Sequence, residues 1–284
     1  MIAYHRPRNL DDAIAIRAGK DVVVLAGGTD VHPARANRAA WGDPRHGDVL
    51  DITAIPGLDA IEETGSGWRI GCLVTWSALL RTTLPPLFEG LKAAAREIGG
   101  MQVQNRGTLV GNICTASPAG DGVPNLLALE TSVELAGPRG TRLLRMSDFL
   151  TGYRRTACAT DEIVTALHIP RLANASSAFR KLGARRYLVI SIAMAAGVIA
   201  LDDAGDIAAA RIAIGACSAV AQRLPALEAA LIGATLADAS NFPTPAHLAP
   251  LAPIDDVRAS AAYRQHAALV LLRDLLADLA RESA

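Results

Sequence analysis

Lysine is almost missing from this chain of 284 residues: Lys20, Lys92 and Lys181 are the only three, so arginine carries nearly all of the positive charge. The charges cancel, 28 basic against 28 acidic, and the arginines are dispersed along the chain. A neutral chain without a basic stripe is poorly built to coat nucleic acid or an anionic membrane. Trp41, Trp68 and Trp76 form no ladder on which bases could stack. Cysteine is also scarce. Cys72, Cys114, Cys158 and Cys217 stand far apart in sequence with no C-x-x-C pair, which argues against zinc or iron–sulfur ligation and against a secreted disulfide framework. His5, His32, His46, His168, His247 and His266 show no metal-ligand spacing. The start, Met1 to Pro7, has no basic residues followed by an apolar run, so no signal peptide is expected. The longest uncharged apolar run, Tyr187 to Leu201, is short for a bilayer span and contains Gly197. A reduced, cytoplasmic protein follows, with neither nucleic acid nor membrane as partner.

The common nucleotide fingerprints are absent as well. There is no G-x-G-x-x-G and no G-x-x-x-x-G-K-S/T, which removes the dinucleotide and triphosphatase loops. Ser117 lacks a G-x-S-x-G elbow, so it is not read as a nucleophile. No residue stands out as catalytic and none as a metal ligand.

What the chain does contain is a long run of small residues and hydroxyls, Asn105 to Gly122, with Gly107, Gly111, Gly120 and Gly122 between Thr108, Asn112, Thr115, Ser117 and Asp121. Clustered N–H groups and hydroxyls suit a phosphate or the polar edge of a cofactor. Alone, the stretch reads as a ligand-free loop. A second turn upstream changes the balance: Val22 to Ala26 is a strand pattern that runs straight into Gly27-Gly28-Thr29-Asp30, a place where backbone can approach a diphosphate.

Around these turns the pattern is mixed α and β, in two or three domains for this length. Asn9 caps a helix over Leu10–Arg17 that Gly19 closes; a helix from Val31 to Ala40 is expected to be interrupted at Pro33; Trp41 to Gly47 is a polar loop; Val49–Ile52 is a second strand. Leu58–Glu63 and Trp68–Gly71 alternate as a hairpin, Thr75 caps a helix over Trp76–Arg81, and another helix runs from Leu87 to Ile98. Val123–Leu129 reads as a helix, Ser132–Ala136 and Thr141–Leu144 as a hairpin, and Glu162–Ile169 as a strand. Arg171–Ser176 is a polar boundary. Beyond it come three antiparallel strands at Ala178–Leu182, Ile190–Leu201 and Ile207–Gly215, then helices at Leu224–Leu231 and Asp256–Arg281.

With both turns in view the chain resembles the FAD-binding (medium) subunit of the molybdenum hydroxylases, the family of xanthine dehydrogenase and carbon monoxide dehydrogenase. The resemblance rests on Ala26-Gly27-Gly28-Thr29-Asp30 and on Gly111-Asn112-Ile113-Cys114-Thr115-Ala116-Ser117-Pro118…Asp121, and extends to Asp255-Asp256-Val257-Arg258…Tyr263-Arg264 near the end. It implies an α+β fold: an FAD-binding domain over 1–171 of the vanillyl-alcohol-oxidase type, with subdomains of about 1–55 and 56–171, followed by an α+β C-terminal domain over 172–284 with an antiparallel sheet. It implies FAD held by Leu25, Ala26, Gly27, Gly28, Thr29, Asp30 and Val31 in the first turn, and by Thr108, Leu109, Val110, Gly111, Asn112, Thr115, Ser117 and Asp121 in the second. Asp30 would turn away from phosphate and cap the next helix. Val164 and Lys181 would lie near the flavin ring, although by itself Lys181 reads equally well as a solvated lysine at a strand end. Val110 stands where the family usually has a glycine. The implied function is electron transfer within a xanthine-dehydrogenase-like oxidoreductase: a large partner chain holds molybdopterin, a small one holds 2Fe–2S clusters, and NAD or another acceptor takes the electrons. A free-standing FAD-dependent oxidase or reductase and a non-enzymatic α/β binding protein are the alternatives.

Overall fold

The computed structural model describes residues 3–40 and 47–282, so most of the expected Trp41–Gly47 loop lies outside the described residues. The first unit is a three-stranded parallel sheet. Its strands are β1 (Tyr4–His5), β2 (Val22–Leu25) and β3 (Asp48–Asp51), in the order β1-β3-β2, with helix α1 (Leu10–Gly19) and helix α2 (Val31–Ala40) as connections. Asn9 opens α1 by accepting a hydrogen bond from Asp12 N at 2.8 Å. Helix α2 is not interrupted at Pro33. That proline is its third residue, where the N–H would have no intrahelical acceptor to lose.

The second unit opens with the hairpin of β4 (Ile61–Thr64) and β5 (Gly67–Gly71). Leu58 does not join it, because its carbonyl accepts Leu73 N at 2.7 Å instead. Helix α3 (Trp76–Arg81) follows, capped by the Thr75 hydroxyl on Ala78 N at 3.1 Å. The expected Leu87–Ile98 helix is a 3-10 turn, Pro86–Phe88, that leads into α4 (Glu89–Glu97). A short helix, α5 (Met101–Gln104), precedes the stretch read as loop, a second, α6 (Leu109–Thr115), lies within it, and α7 (Gly122–Ala128) begins at its end. The hairpin of β6 (Ser132–Gly137) and β7 (Gly140–Arg145) forms as expected. Small elements that the sequence reading did not name follow: α8 (Met146–Phe149), β8 (Leu150–Gly152) and β9 (Arg155–Thr156). Strand β10 (Ile163–Pro170) then pairs antiparallel with both β5 and β6 to complete a five-stranded sheet, β4-β5-β10-β6-β7.

The third unit is the antiparallel sheet β11-β12-β13-β14: β11 (Ala175–Leu182), β12 (Ala193–Leu201), β13 (Ile207–Gly215) and β14 (Gln222–Arg223). Helix α9 (Pro225–Leu231) and helix α10 (Ala261–Glu282) complete the chain. Helix α10 starts five residues later than expected, because the Asp256 carboxylate is taken by Arg258 N and Arg264 in the preceding loop. One hydrophobic core runs from Ala13 and Leu50 through Trp68, Phe88, Leu126 and Phe149 to Leu167, across the first two units. Val198 and Ala213 reach it from the third sheet, whose other face forms a second core with Leu227, Leu272, Leu275 and Leu279. Strand β12 is therefore covered on both faces, which accounts for its unbroken apolar run. Among the described residues no helix is long and apolar enough to cross a membrane.

Candidate cofactor site

The first glycine turn follows β2, whose Leu25 is buried. Gly27 is packed so tightly on the other turn that a Cβ there would lie 1.9 Å from the Arg106 carbonyl oxygen and 3.0 Å from Gly107 Cα. Gly28 has φ +75°, in the left-handed region, and a Cβ on it would lie 2.7 Å from the His32 ring. The chain then enters α2 with His32 N on the Gly28 carbonyl and Ala34 N on that of Asp30. The N–H groups of Gly27, Gly28, Thr29 and Asp30 find no acceptor among the described residues. They form a cluster of donors at the start of a ten-residue helix, where an anion is favoured.

The second turn is built as a helix, not a loop. Thr108 caps α6 through Gly111 N at 2.9 Å, and Ala116, at φ 47°, ends it. Leu109 N donates to the Val74 carbonyl and Trp76 N to that of Gly107, so this helix is anchored against the α3 segment. Asp30 does not cap α2. Its carboxylate accepts the Thr115 hydroxyl at 2.7 Å, which ties the two turns together. At the far side Arg17 forms a second clasp, hydrogen-bonded to the carbonyls of Val22 and Glu162.

Between the clasps lies a cavity of about 570 Å³, of a size usual for small-molecule sites. Ala26, Gly27, Gly28, Thr29, Asp30, Val31, Thr108, Val110, Gly111, Asn112, Thr115 and Val164 all line it. Val110 packs its side chain in the core, 5 % exposed. Leu25 and Leu109 support the wall from within the core. Ser117, Asp121 and Lys181 are not on that wall. The Ser117 hydroxyl accepts Ala119 N at 3.3 Å in its own turn. Lys181 Nζ donates to Asp121 Oδ2 at 2.6 Å, and the Ser191 hydroxyl to Asp121 Oδ1 at 2.6 Å. Lys181 is thus no solvated strand-end lysine: its side chain is 8 % exposed and that of Asp121 6 %. Burial pushes the Asp121 carboxyl up, opposed by the Lys181 ammonium and the Ser191 hydroxyl.

Several cavity residues carry no signal that sequence reasoning could use. Ile98 and Val103 come from the α4–α5 region, Trp76 from α3, and Ile163 from β10. Cys72, Cys114 and Cys158, remote in sequence, line this one cavity. Burial pushes the Cys72 thiol up to about 12 and that of Cys158 to about 11, and Cys114, open to the cavity but deep in the protein, is raised as well. These thiols are protonated at neutral pH and therefore poor nucleophiles. A second cavity of about 290 Å³ lies across the seam, lined by Thr53, Pro56, Asn105 and Arg106 and sharing Ala26, Gly27 and Thr108 with the first.

The chain matches the family "FAD binding domain in molybdopterin dehydrogenase" over residues 1–172, and "CO dehydrogenase flavoprotein C-terminal domain" over 177–279. It is 31% identical over 280 residues to the nicotine 6-hydroxylase medium subunit of Paenarthrobacter nicotinovorans, covering 98% of this chain and 96% of that one. It is 32% identical over 219 residues to the xanthine dehydrogenase FAD-binding subunit of Escherichia coli O157:H7, covering 75% and 73%. A solved structure, reconstituted CO dehydrogenase from Oligotropha carboxidovorans, superposes with a TM-score of 0.88 at 28% identity over 100% of this chain and 99% of that one. The glycine turns and the α+β frame that brings them together are those of a known group, and the chain belongs to the family of FAD-binding subunits of molybdopterin dehydrogenases.

Proposed function

We propose that the chain carries FAD in the cavity between the two glycine turns and acts as the electron-transfer subunit of a multi-subunit molybdopterin-dependent hydroxylase. The observation that carries this reading is the cluster of N–H groups from Gly27 to Asp30, without acceptors among the described residues, at a cavity that both turns line. The residues fit the cofactor. Gly27 and Gly28, which leave no room for a Cβ beside the Arg106 carbonyl and the His32 ring, hold the first turn closed on the second, the N–H cluster matches a diphosphate, and Ile98, Val103 and Val164 offer apolar wall to a ring. Ala26 to Asp30 would hold the diphosphate, Thr108 to Asn112 the diphosphate and ribityl chain, and Thr115 and Ser117 would lie toward the flavin side. Asp121 and Lys181 belong to the same reading as the polar pair beside the flavin, since an ammonium held in place stabilises negative charge on a neighbouring ring. A flavin in this site supplies an acceptor that takes electrons singly and passes on a pair. The electrons would come from 2Fe–2S clusters in a small partner chain, fed by molybdopterin in a large one, and would leave to NAD or another acceptor in the cytoplasm.

The domain division belongs to the proposal too: 1–171 as the FAD-binding domain, split near residue 55, and 172–284 as the C-terminal domain. The three larger sheets, confined to residues 4–51, 61–170 and 175–223, support it. The reading is tested by acid precipitation of the purified, FAD-reconstituted chain. Non-covalent FAD should pass to the supernatant as free yellow flavin; colour retained in the pellet, or a chain that takes up no flavin, contradicts the reading.

A further inference from the structure

Trp76 is the first residue of α3 and is 2 % exposed. Its backbone N–H is fixed on the Gly107 carbonyl at 3.1 Å, so the ring has little freedom. The ring stands between two glycines. A Cβ at Gly122 would lie 2.7 Å from Cη2, at the benzene edge, and a Cβ at Gly107 would lie 3.6 Å from Cδ1, at the pyrrole edge that carries the N–H. Gly107 lines the FAD cavity, as Trp76 itself does. The indole N–H has no acceptor among the described residues. It is also not one of the sealed, unpartnered side-chain atoms, which are Asn112 Oδ1, Thr131 Oγ1, Arg211 Nη1 and Arg264 Nε. The nitrogen therefore borders open space, and the open space this ring lines is the cavity.

A buried indole normally finds an acceptor, because leaving the N–H unpaired forfeits its hydration, whereas phenylalanine would fill the same space without that cost. The space it borders is the ligand cavity, so a bound ligand is placed to supply the acceptor. Its nature follows from what else meets at Gly107: Gly27 of the first turn, whose added Cβ would lie 3.0 Å from Gly107 Cα, and Thr29, whose hydroxyl would lie 3.4 Å from a Cβ on Gly107. The pyrrole edge and the N–H cluster of the first turn converge on one place. We propose that Trp76 is a further FAD-binding residue, its indole N–H donating a hydrogen bond to a phosphate oxygen of the cofactor. The inference rests on the FAD reading of this cavity. A donor to a charged oxygen is stronger than one to a neutral group, and it extends the phosphate cradle from two backbone turns to a side chain on a third element.

The test uses the full chain with 15N-labelled tryptophan, freed of flavin and titrated with FAD, with ADP and with riboflavin. Trp41, Trp68 and Trp76 give three indole N–H resonances, and Trp76→Phe identifies the third. FAD and ADP should both move the Trp76 resonance downfield, and riboflavin should leave it in place. Trp76→Phe, at unchanged circular dichroism, should bind FAD about ten- to a hundredfold more weakly, as loss of a hydrogen bond to a charged group implies. If wild type binds FAD but the resonance stays put, or the variant binds equally well, the Trp76 proposal is overturned and the cavity reading stands. A shift with riboflavin but not ADP overturns the assignment to phosphate. A chain that binds no FAD overturns both. Should Trp76→Phe fail to fold, Trp41→Phe and Trp68→Phe identify the remaining resonance and the titration decides alone.

Discussion

Gly28 shows how one residue sets both the fold of the turn and its chemistry. At φ +75° an L side chain is strained, by about 1–2 kcal/mol, and a branched Cβ would also press on the His32 ring and on Leu25, displacing the turn that lines the cavity. Gly28→Val is therefore expected to fold, with a modestly lower melting temperature, and to purify without flavin; a folded, fully flavinylated variant would move the site elsewhere. Glu134 is the residue with the clearest acid response. Burial opposes its ionisation, but the hydrogen bonds from Arg69 at 2.9 Å, Thr165 at 2.6 Å and His168 at 2.7 Å prevail and hold its carboxyl at about 2, against an ordinary 4.5. Because the folded value is the lower one, its stabilisation is complete above pH 4.5 and is lost as pH falls from there toward 2. Between pH 5 and pH 3, urea unfolding should show wild type losing about 2 kcal/mol more than Glu134→Gln. Parallel losses would show that the cluster contributes nothing.

Among the elements, the junction of α7, β11 and the entry to β12 is the most exacting. Asp121, Lys181 and Ser191 bring one residue each to a buried ion pair and its supporting hydroxyl. Removing one partner leaves an uncompensated charge, so Lys181→Met should destabilise by about 3 kcal/mol. Asp121→Asn with Lys181→Met should recover more than half of that loss, measured by denaturant unfolding; additive losses would mean the two groups do not act as a pair. This pairing was not legible in the sequence, because 60 residues separate its partners and only the tertiary fold joins them. Helix α6 was hidden for a local reason: Gly111, Asn112 and Thr115 are weak helix formers, and its stability comes from the Thr108 cap and from Leu109 and Ile113 in the core. The hairpins were legible because glycine turns punctuate period-two patterns, as at Gly65-Ser66-Gly67. The glycine turns themselves were legible as motifs. That Trp76 and three remote cysteines share their cavity was not.

Across the whole molecule, the two glycine turns belong to different units and meet only because one core runs beneath both. The third sheet closes over α4 and α7 and gives both faces of β12 a partner. The result is a seam between two units that we propose holds the FAD. In the function proposed above, the seam stores electrons delivered by other chains. Anaerobic spectrophotometry of the flavin, in the isolated chain and after co-expression with its molybdopterin and iron–sulfur partners, tests this most directly. Dithionite should bleach the flavin in both preparations, and a heterocyclic substrate of the complex should bleach it only when the partners are present. Bleaching of the isolated chain by a small organic substrate at ordinary enzyme rates, about one per second or faster, would contradict the account and make the protein a free-standing flavoenzyme.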